Sequence, residues 1–233
     1  MAGVFSFRAL YQAYIACRVG KRGSRSAQRY DLRLLDNLID TATALQRNAW
    51  RPSRSVCFVS RQAKPREVHA AEFSDRVVHH LLVPRLEALY EPVFIHDSDS
   101  NRVGKGTHAA VDRRQTFMRQ VSRNGQRPAW YLQLDIASFF PRIDRRILYR
   151  LLQRRLAKAV AREQLTRAEA LQLTDLCRVI LSAEPGRDGR RLSQPGAQAA
   201  RAAPGPLCQD SCRLTQIPYS VRGQQGEQDD DLS

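Results

Sequence analysis

The chain has 233 residues and a formal net charge of +15, from 38 Lys or Arg against 23 Asp or Glu. The length allows one large domain or two small ones. No apolar run is long enough to span a membrane, and the amino end lacks the pattern of a signal peptide, so we predict no membrane partner. The 5 cysteines are odd in number and scattered, which favours a reduced, cytoplasmic protein.

The positive charge is concentrated before residue 184. Residues 184–233 carry 6 Arg and 7 acidic residues, which leaves a net charge of +16 on the first 183 residues. Such a basic body favours a polyanionic partner, most simply nucleic acid held through its phosphates. A GC-rich gene would also encode Arg rather than Lys at ordinary surface positions, and 34 of the 38 basic residues are Arg. Charge alone therefore does not decide the partner.

Residues 5–18 and 31–49 are predicted to be helices, the second from apolar residues at helical spacing: Leu32, Leu35, Leu38, Ile39, Ala42 and Leu45. The basic stretch 20–26 between them is predicted to be a flexible loop, either solvated or in contact with a nucleic-acid backbone. Residues 55–59 form a predicted strand, and a basic turn and a second short strand follow it. The sequence therefore predicts a β-hairpin that carries cations.

A helix is predicted from residue 73, where Asp75 and Arg76 precede an apolar stripe. We expect the stripe to lie in the core and Arg76 to pair with a nearby acid. Pro84 is expected to kink or restart this helix, since proline cannot donate the helical hydrogen bond.

A glycine-rich basic segment, Arg-x-Gly-Lys-Gly-Thr-His-Ala-Ala, covers residues 102–110. Gly104 and Gly106 would let the backbone approach a phosphate chain closely, with Lys105 between them and a helix behind. An acid in the same loop, Asp99, is unfavourable beside a nucleic-acid strand.

Residues 130–134 are predicted to form a buried strand that ends at Asp135. A carboxylate there needs a cation or a donor, and local backbone N–H groups at a strand-to-helix corner are the simplest source. Asp144 is predicted to cap a helix over 144–158, and Thr166 with Glu169 to form the capping box of another.

The stretch Asp-Ile-Ala-Ser-Phe-Phe-x-x-Ile-Asp at 135–144 resembles the first catalytic palm motif of bacterial reverse transcriptases, of the group II intron, retron and diversity-generating retroelement type. The resemblance runs from about residue 5 to about residue 183. It implies an α+β fold, with a helical region at 1–50 and with the fingers and first part of the palm of a right-hand polymerase at 51–183.

The resemblance also implies roles for particular residues. Asp135 and the backbone carbonyl of Ile136 would bind Mg²⁺, and Phe140 would lie under the sugar and exclude a 2′-hydroxyl. The nucleotide triphosphate would be held by two cations of the hairpin, Lys64 and Arg66. The template would contact four residues of the glycine-rich segment: Arg102, Gly104, Lys105 and Gly106. The partners implied are an RNA template, a DNA primer and deoxynucleotide triphosphates, and the sequence does not identify any accessory protein.

Residues 184–233 are rich in Gly, Pro, Ala, Gln and Arg and lack apolar periodicity. We interpret them as a disordered tail or as a product of a reading-frame shift near Glu184. The second carboxylate pair of the family is missing, since the acids at 229–231 follow no predicted strand. The expectation is a truncated, inactive copy of a reverse transcriptase, and the alternative is a non-catalytic protein that binds RNA or DNA.

Overall fold

The computed structural model describes residues 4–60, 66–136, 139–183, 190–191 and 212–216. These residues form helices and short strands in an α+β arrangement, as the sequence predicts. In chain order the elements are α1 (Phe7–Arg18), α2 (Arg25–Asp31), α3 (Leu34–Gln46), β1 (Val56–Ser60), β2 (Arg66–Ala70), α4 (Phe73–Tyr90), a 3₁₀ turn (Glu91–Val93), α5 (Thr107–Ser122), β3 (Trp130–Leu134), α6 (Phe139–Arg142), α7 (Arg145–Ala161), α8 (Arg167–Ser182), β4 (Arg190–Arg191) and β5 (Cys212–Gln216).

The chain divides into two compact units. The first unit combines Met1–Val93 with Ile143–Ala200, and the second combines Phe94–Arg142 with Arg201–Ser233. The sequence-based division into residues 1–50, 51–183 and 184–233 rests on composition and motifs. The two units are defined instead by which residues lie close together in space.

The first unit contains a helical core. Apolar side chains from α1, α3, α4, α7 and α8 pack together, and the most deeply buried include Leu10, Leu38, Phe73, Val77, Leu81, Leu156 and Leu173. The core thus depends on helices from both segments of this unit.

The helical region at the amino end differs from its prediction. α2 begins at Arg25, because the Ser24 hydroxyl accepts a hydrogen bond from the Ala27 N–H at 3.3 Å, so Arg25 and Ser26 are helical and not part of a loop. α2 ends at Asp31, whose carboxylate binds Arg18 at 2.8 Å and accepts from the Tyr14 hydroxyl at 2.6 Å. The helix predicted over residues 31–49 thus begins at Leu34, and α2, which precedes it, was not predicted.

The apolar set predicted for this region is buried only in part. Leu38, Ala42 and Leu45 face the core, whereas Leu32, Leu35 and Ile39 are 85%, 64% and 53% exposed. Leu32 lies before α3, whereas Leu35 and Ile39 lie on α3 outside the face that the three buried residues form.

α4 is one continuous helix through Pro84, so the predicted restart is wrong. The Arg85 guanidinium donates to the Leu81 carbonyl at 2.7 Å, within the turn that contains the proline. Arg76 donates to the Ala71 carbonyl at 2.8 Å, and no acid among the described residues pairs with it.

The predicted β-hairpin is confirmed. β1 and β2 are antiparallel, with Val56 opposite Ala70 and Ser60 opposite Arg66. β4 adds to β1 in the parallel sense. Lys64 lies outside the described residues, and Arg66 is described as a strand residue only, without its side chain.

Two predicted helix caps are confirmed. The Asp144 carboxylate accepts from the N–H groups of Arg146 and Ile147, at 2.8 and 3.1 Å, at the start of α7. Thr166 and Glu169 form the capping box of α8, with the Glu169 carboxylate accepting from the Thr166 N–H at 2.9 Å.

In the second unit β3 pairs with β5 in antiparallel register, Trp130 opposite Gln216 and Leu134 opposite Cys212. The prediction that β3 is buried is wrong: Trp130, Leu132 and Leu134 are 54%, 53% and 68% exposed. Within the described residues, β5 is the one strand beside β3, and an apolar strand is buried on both faces only where other layers cover it. The described helices include none that is long and apolar enough to cross a membrane.

Candidate functional site

Asp135 directly follows β3 and is exposed to solvent. Ile136 is 63% exposed and Phe140, on α6, is 83% exposed. The Phe140 ring meets the Phe139 ring edge-on, with centroids 5.3 Å apart. No described donor lies on the Asp135 carboxylate. Ala137 and Ser138, whose N–H groups a strand-to-helix corner would use, lie outside the described residues. Asp135 is an exposed carboxylate at the end of β3.

The two cations of the glycine-rich segment before α5 bind acceptors within the same loop. The Arg102 guanidinium donates to the Ile95 and Ser98 carbonyls, both at 2.9 Å. The Lys105 ammonium donates to the His96 carbonyl and lies 3.9 Å from the Asp99 carboxylate. Asp99, an unfavourable neighbour for a template strand, therefore has a partner in the same loop.

The two glycines of this loop adopt backbone conformations that other residues rarely adopt. Gly104 has φ +73° and Gly106 has φ +139°, which favour glycine over residues with a side chain. A Cβ atom at either position would meet nothing within 4 Å. The conformation of the loop thus accounts for both glycines, and the space beside them is open.

α5 carries further arginines that bind within the second unit. Arg113 pairs with Asp97 at 2.5 Å and lies over the Phe117 ring, 4.5 Å from its centroid. The hydrogen bond from Arg113 holds the pKa of the Asp97 carboxyl below its usual value. Arg114 lies over the Tyr131 ring at 4.9 Å, a cation–π contact between α5 and β3.

The structure therefore places two groups of predicted residues in the second unit. Asp135, Ile136 and Phe140 follow one another after β3, and the four residues of the glycine-rich segment precede α5. Arg66 belongs to the hairpin of the first unit. Whether all of these residues act on one substrate stays a prediction.

α7 presents a row of cations that we did not predict as a site. The helix contains six Arg or Lys and no acid. Four of the six repeat at every fourth position and are exposed: Arg146, Arg150, Arg154 and Lys158. No ion pair among the described residues involves any of these four. Their i, i+4 spacing was the signal in the sequence, since it places side chains along one side of a helix. We call these four residues the α7 basic row.

Arg155, in the same helix, has a structural role. It is 9% exposed, donates to the Leu89 carbonyl and lies 5.9 Å from the centroid of the Tyr90 ring. The contact joins α7 to the end of α4.

Three potential metal ligands converge on the hairpin: Cys57 of β1, and Glu67 and His69 of β2. The Cys57 thiol donates to the Glu67 carboxylate at 3.0 Å, and His69 Nε2 lies 3.8 Å from the same oxygen. The sequence did not reveal this group, because Cys57 and Glu67 are ten residues apart and only the strand register brings them together.

A cavity of about 610 Å³ lies in the first unit. It is lined by residues before β1 and at the end of α8, with charged or titratable side chains from Arg51, Arg54, His69, Asp75, His79 and Arg178. Burial lowers the pKa of His79, which favours its neutral form in this wall.

No protein-family model matches the chain. A segment of 82 residues, 35% of the chain, is 29% identical to an uncharacterized mitochondrial protein, ymf11, of Marchantia polymorpha. The matched segment spans about 10% of the length of that protein. This similarity is partial, and it leaves the function to be argued from the residues.

Proposed function

We propose that the chain is a reverse-transcriptase-type protein, in which the β1–β2 hairpin belongs to the fingers and β3 begins the palm. The observation that carries the proposal is Asp135, an exposed carboxylate at the end of a strand, followed by exposed Phe140. Mg²⁺ prefers oxygen ligands and is usually bound by one or two carboxylates together with substrate phosphates. An accessible carboxylate at this point of the motif suits that role.

The reaction implied by the motif is attack of a primer 3′-hydroxyl on the α-phosphate of a deoxynucleotide, directed by an RNA template. Asp135 and the Ile136 carbonyl would bind Mg²⁺, and Phe140 would contact the sugar. Lys64 and Arg66 would hold the triphosphate.

The glycine-rich segment would contact the template mainly through its backbone. Arg102 and Lys105 already donate to carbonyls of their own loop, which holds the loop in shape. The open space beside Gly104 and Gly106 leaves room for a phosphate chain at the start of α5.

Binding of magnesium with a nucleotide tests the proposal directly. We expect Mg²⁺ to strengthen binding of a deoxynucleotide triphosphate to the purified chain, and Asp135→Asn to remove that increment. Asp112→Asn is the matched control, because Asp112 is an exposed carboxylate of the same unit outside the motif. A Mg²⁺-dependent increment that survives Asp135→Asn would contradict the proposal.

Catalysis by the 233-residue chain alone is not expected. Two-metal phosphoryl transfer holds ions roughly 3.5–4 Å apart, and one motif carboxylate does not supply enough ligands for both. Primer extension on an RNA template should therefore be absent. Extension that Asp135→Asn abolishes would show that other acids of this chain complete the site.

A second candidate function is nucleic-acid binding without catalysis, and the α7 basic row favours it. Four exposed cations along one helix can neutralise phosphates of a nucleic acid without any need for metal. Arg150→Gln with Arg154→Gln should weaken RNA binding and reduce the slope of log K against log salt by about 1.4 for a single strand, since each lost phosphate contact contributes about 0.7.

The control for this test is Arg8→Gln with Arg167→Gln, which removes the same charge from exposed positions on α1 and α8. An equal loss of slope in both double variants would assign binding to net charge and not to the α7 basic row. Binding that is independent of Mg²⁺ and of Asp135 would favour this second function over the first.

A further inference from the structure

The hairpin holds three side chains whose ligand atoms converge, in addition to the cations that the proposed function uses. Sγ of Cys57, a carboxylate oxygen of Glu67 and a ring nitrogen of His69 all lie within 4.8 Å of one another. Their convergence follows from the register. Cys57 is directly opposite His69, and Glu67 is two residues before His69 in β2 and thus on the same face of the ladder.

The distances are close to those of a metal site. Zinc bonds to S, N and O ligands of about 2.0–2.3 Å place tetrahedral ligand atoms roughly 3.5 Å apart. The Cys57 sulfur is 3.0 Å from Glu67 Oε1, and His69 Nε2 is 3.8 Å from that oxygen. Small rotations of the Glu67 and His69 side chains would equalise these distances.

Access and chemistry also suit a metal. Cys57 is 7% exposed, whereas the side chains of His69 and Glu67 are 34% and 57% exposed, so an ion can reach the group from solvent. A thiolate and an imidazole select zinc-like ions, whereas Mg²⁺ prefers oxygen ligands alone.

We propose that Cys57, Glu67 and His69 form a binding site for a zinc-class divalent ion that fastens β1 to β2. Binding forms bonds to Sγ of Cys57, a carboxylate oxygen of Glu67 and Nε2 of His69, and the Cys57 thiol proton leaves to solvent. A fourth position remains for water. Thiolate and carboxylate together carry two negative charges, which the ion neutralises.

The site ties the strands together by side chains, independently of the backbone ladder. Among the described residues, β2 is an edge strand that pairs with β1 alone, and the residues between these two strands include Lys64. A bound ion would hold β2 in fixed register against β1. This site is separate from the Mg²⁺ site proposed at Asp135, and neither depends on the other.

Titration of the full chain with Co²⁺ under reducing conditions tests the proposal, because cobalt bound to a thiolate gives a near-ultraviolet charge-transfer band. Cys208→Ser with Cys212→Ser provides the background, since these two are the only close pair of cysteines in the sequence. Cys17 and Cys177 can stay, because they are buried in the core at 0% and 1% exposure.

In that background we expect one equivalent of Co²⁺ to produce the band, and Zn²⁺ to displace it and raise the melting temperature. Cys57→Ser should abolish the band. Glu67→Gln and His69→Gln, at solvent-exposed positions, should each weaken Zn²⁺ binding by at least about a hundredfold, since loss of an outer-shell partner already costs 10–100-fold.

His96→Gln is the control, because His96 is a more exposed histidine of the second unit, with 78% of its side chain accessible; it should leave the titration unchanged. A band that persists after Cys57→Ser, or the absence of stoichiometric Zn²⁺ binding in the background protein, would overturn the proposal. So would unchanged Zn²⁺ affinity in both Glu67→Gln and His69→Gln.

Discussion

At the scale of single residues, Asp75 shows how burial and hydrogen bonding compete. Its side chain lies in the first unit at 3% exposure and accepts from the Ser53 N–H at 2.8 Å and from the Ser53 hydroxyl at 3.2 Å. Burial raises the pKa of the Asp75 carboxyl, the charge of Glu72 adds to the rise, and the bonds from Ser53 oppose it. The folded protein therefore binds a proton at Asp75 more tightly than the unfolded chain does.

The raised pKa predicts a definite pH dependence. The contribution of Asp75 to stability is fully present below its unfolded pKa, near 3.9, and is lost as pH rises through the folded pKa. Asp75→Asn keeps the shape and an acceptor but does not titrate. Urea unfolding at several pH values should show the stability of the variant, relative to the original chain, increasing from pH 3.5 to pH 7.

Each tenfold difference in proton affinity between the folded and unfolded states is worth about 1.4 kcal/mol. A relative stability of the Asp75 variant that falls with rising pH would mean that the Ser53 bonds to the carboxylate outweigh its burial.

At the scale of elements, the capping box of α8 gives a measurable contribution. The Thr166 hydroxyl accepts from the Glu169 N–H at 3.2 Å, and α8 carries Leu173 and Leu176 into the core. Thr166→Ala should lower the free energy of unfolding by about 1 kcal/mol, because a helix N–H then loses its acceptor.

Thr174→Ala provides the matched control on the same helix. The Thr174 hydroxyl donates to the Ala170 carbonyl inside the helix, and alanine is the better helix former there. The control should be neutral or stabilising in the same urea titration. Equal destabilisation by both substitutions would show that the threonine methyl groups matter and the cap does not.

The elements that were predicted correctly depend on local sequence. Asp144 and Thr166 cap the helices that immediately follow them, and the hairpin strands are read from their own residues. α2 was not predicted, and its last residue, Asp31, is held by Arg18 and Tyr14 from another helix, a contact that the local sequence does not show. The exposure of β3 was missed because apolar composition does not show which layer, if any, covers a strand.

The same distinction applies to the candidate sites. Asp135 and the glycine-rich segment stand out because their residues are consecutive. The α7 basic row was visible as a period of four, although its exposure was not. Cys57, Glu67 and His69 can be recognised as a group only when the register of β1 against β2 is known. The sequence predicted the two strands but not which of their residues lie opposite each other.

At the scale of the whole molecule, charge and structure are distributed differently. The excess of positive charge lies in residues 1–183, but several arginines of this region bind other groups of the same chain. Arg102, Arg113 and Arg155 bind carbonyls, a carboxylate or aromatic rings. The four residues of the α7 basic row form no ion pair among the described residues and repeat along one helix, so a polyanion is expected to bind there.

The first unit is discontinuous, and this determines when it can fold during synthesis. Its chain leaves at Val93 and returns at Ile143, and Arg155 reaches back 66 residues to the Leu89 carbonyl. On the ribosome, α1 to α4 can pack on one another, but the core of this unit is complete only after Leu173 and Cys177 of α8 have emerged. At about 5–20 residues per second the interval from Leu89 to Cys177 lasts roughly 4–18 s. During those seconds the part of α4 that later packs on α7 is uncovered, and we expect the nascent chain to bind chaperones that recognise apolar segments.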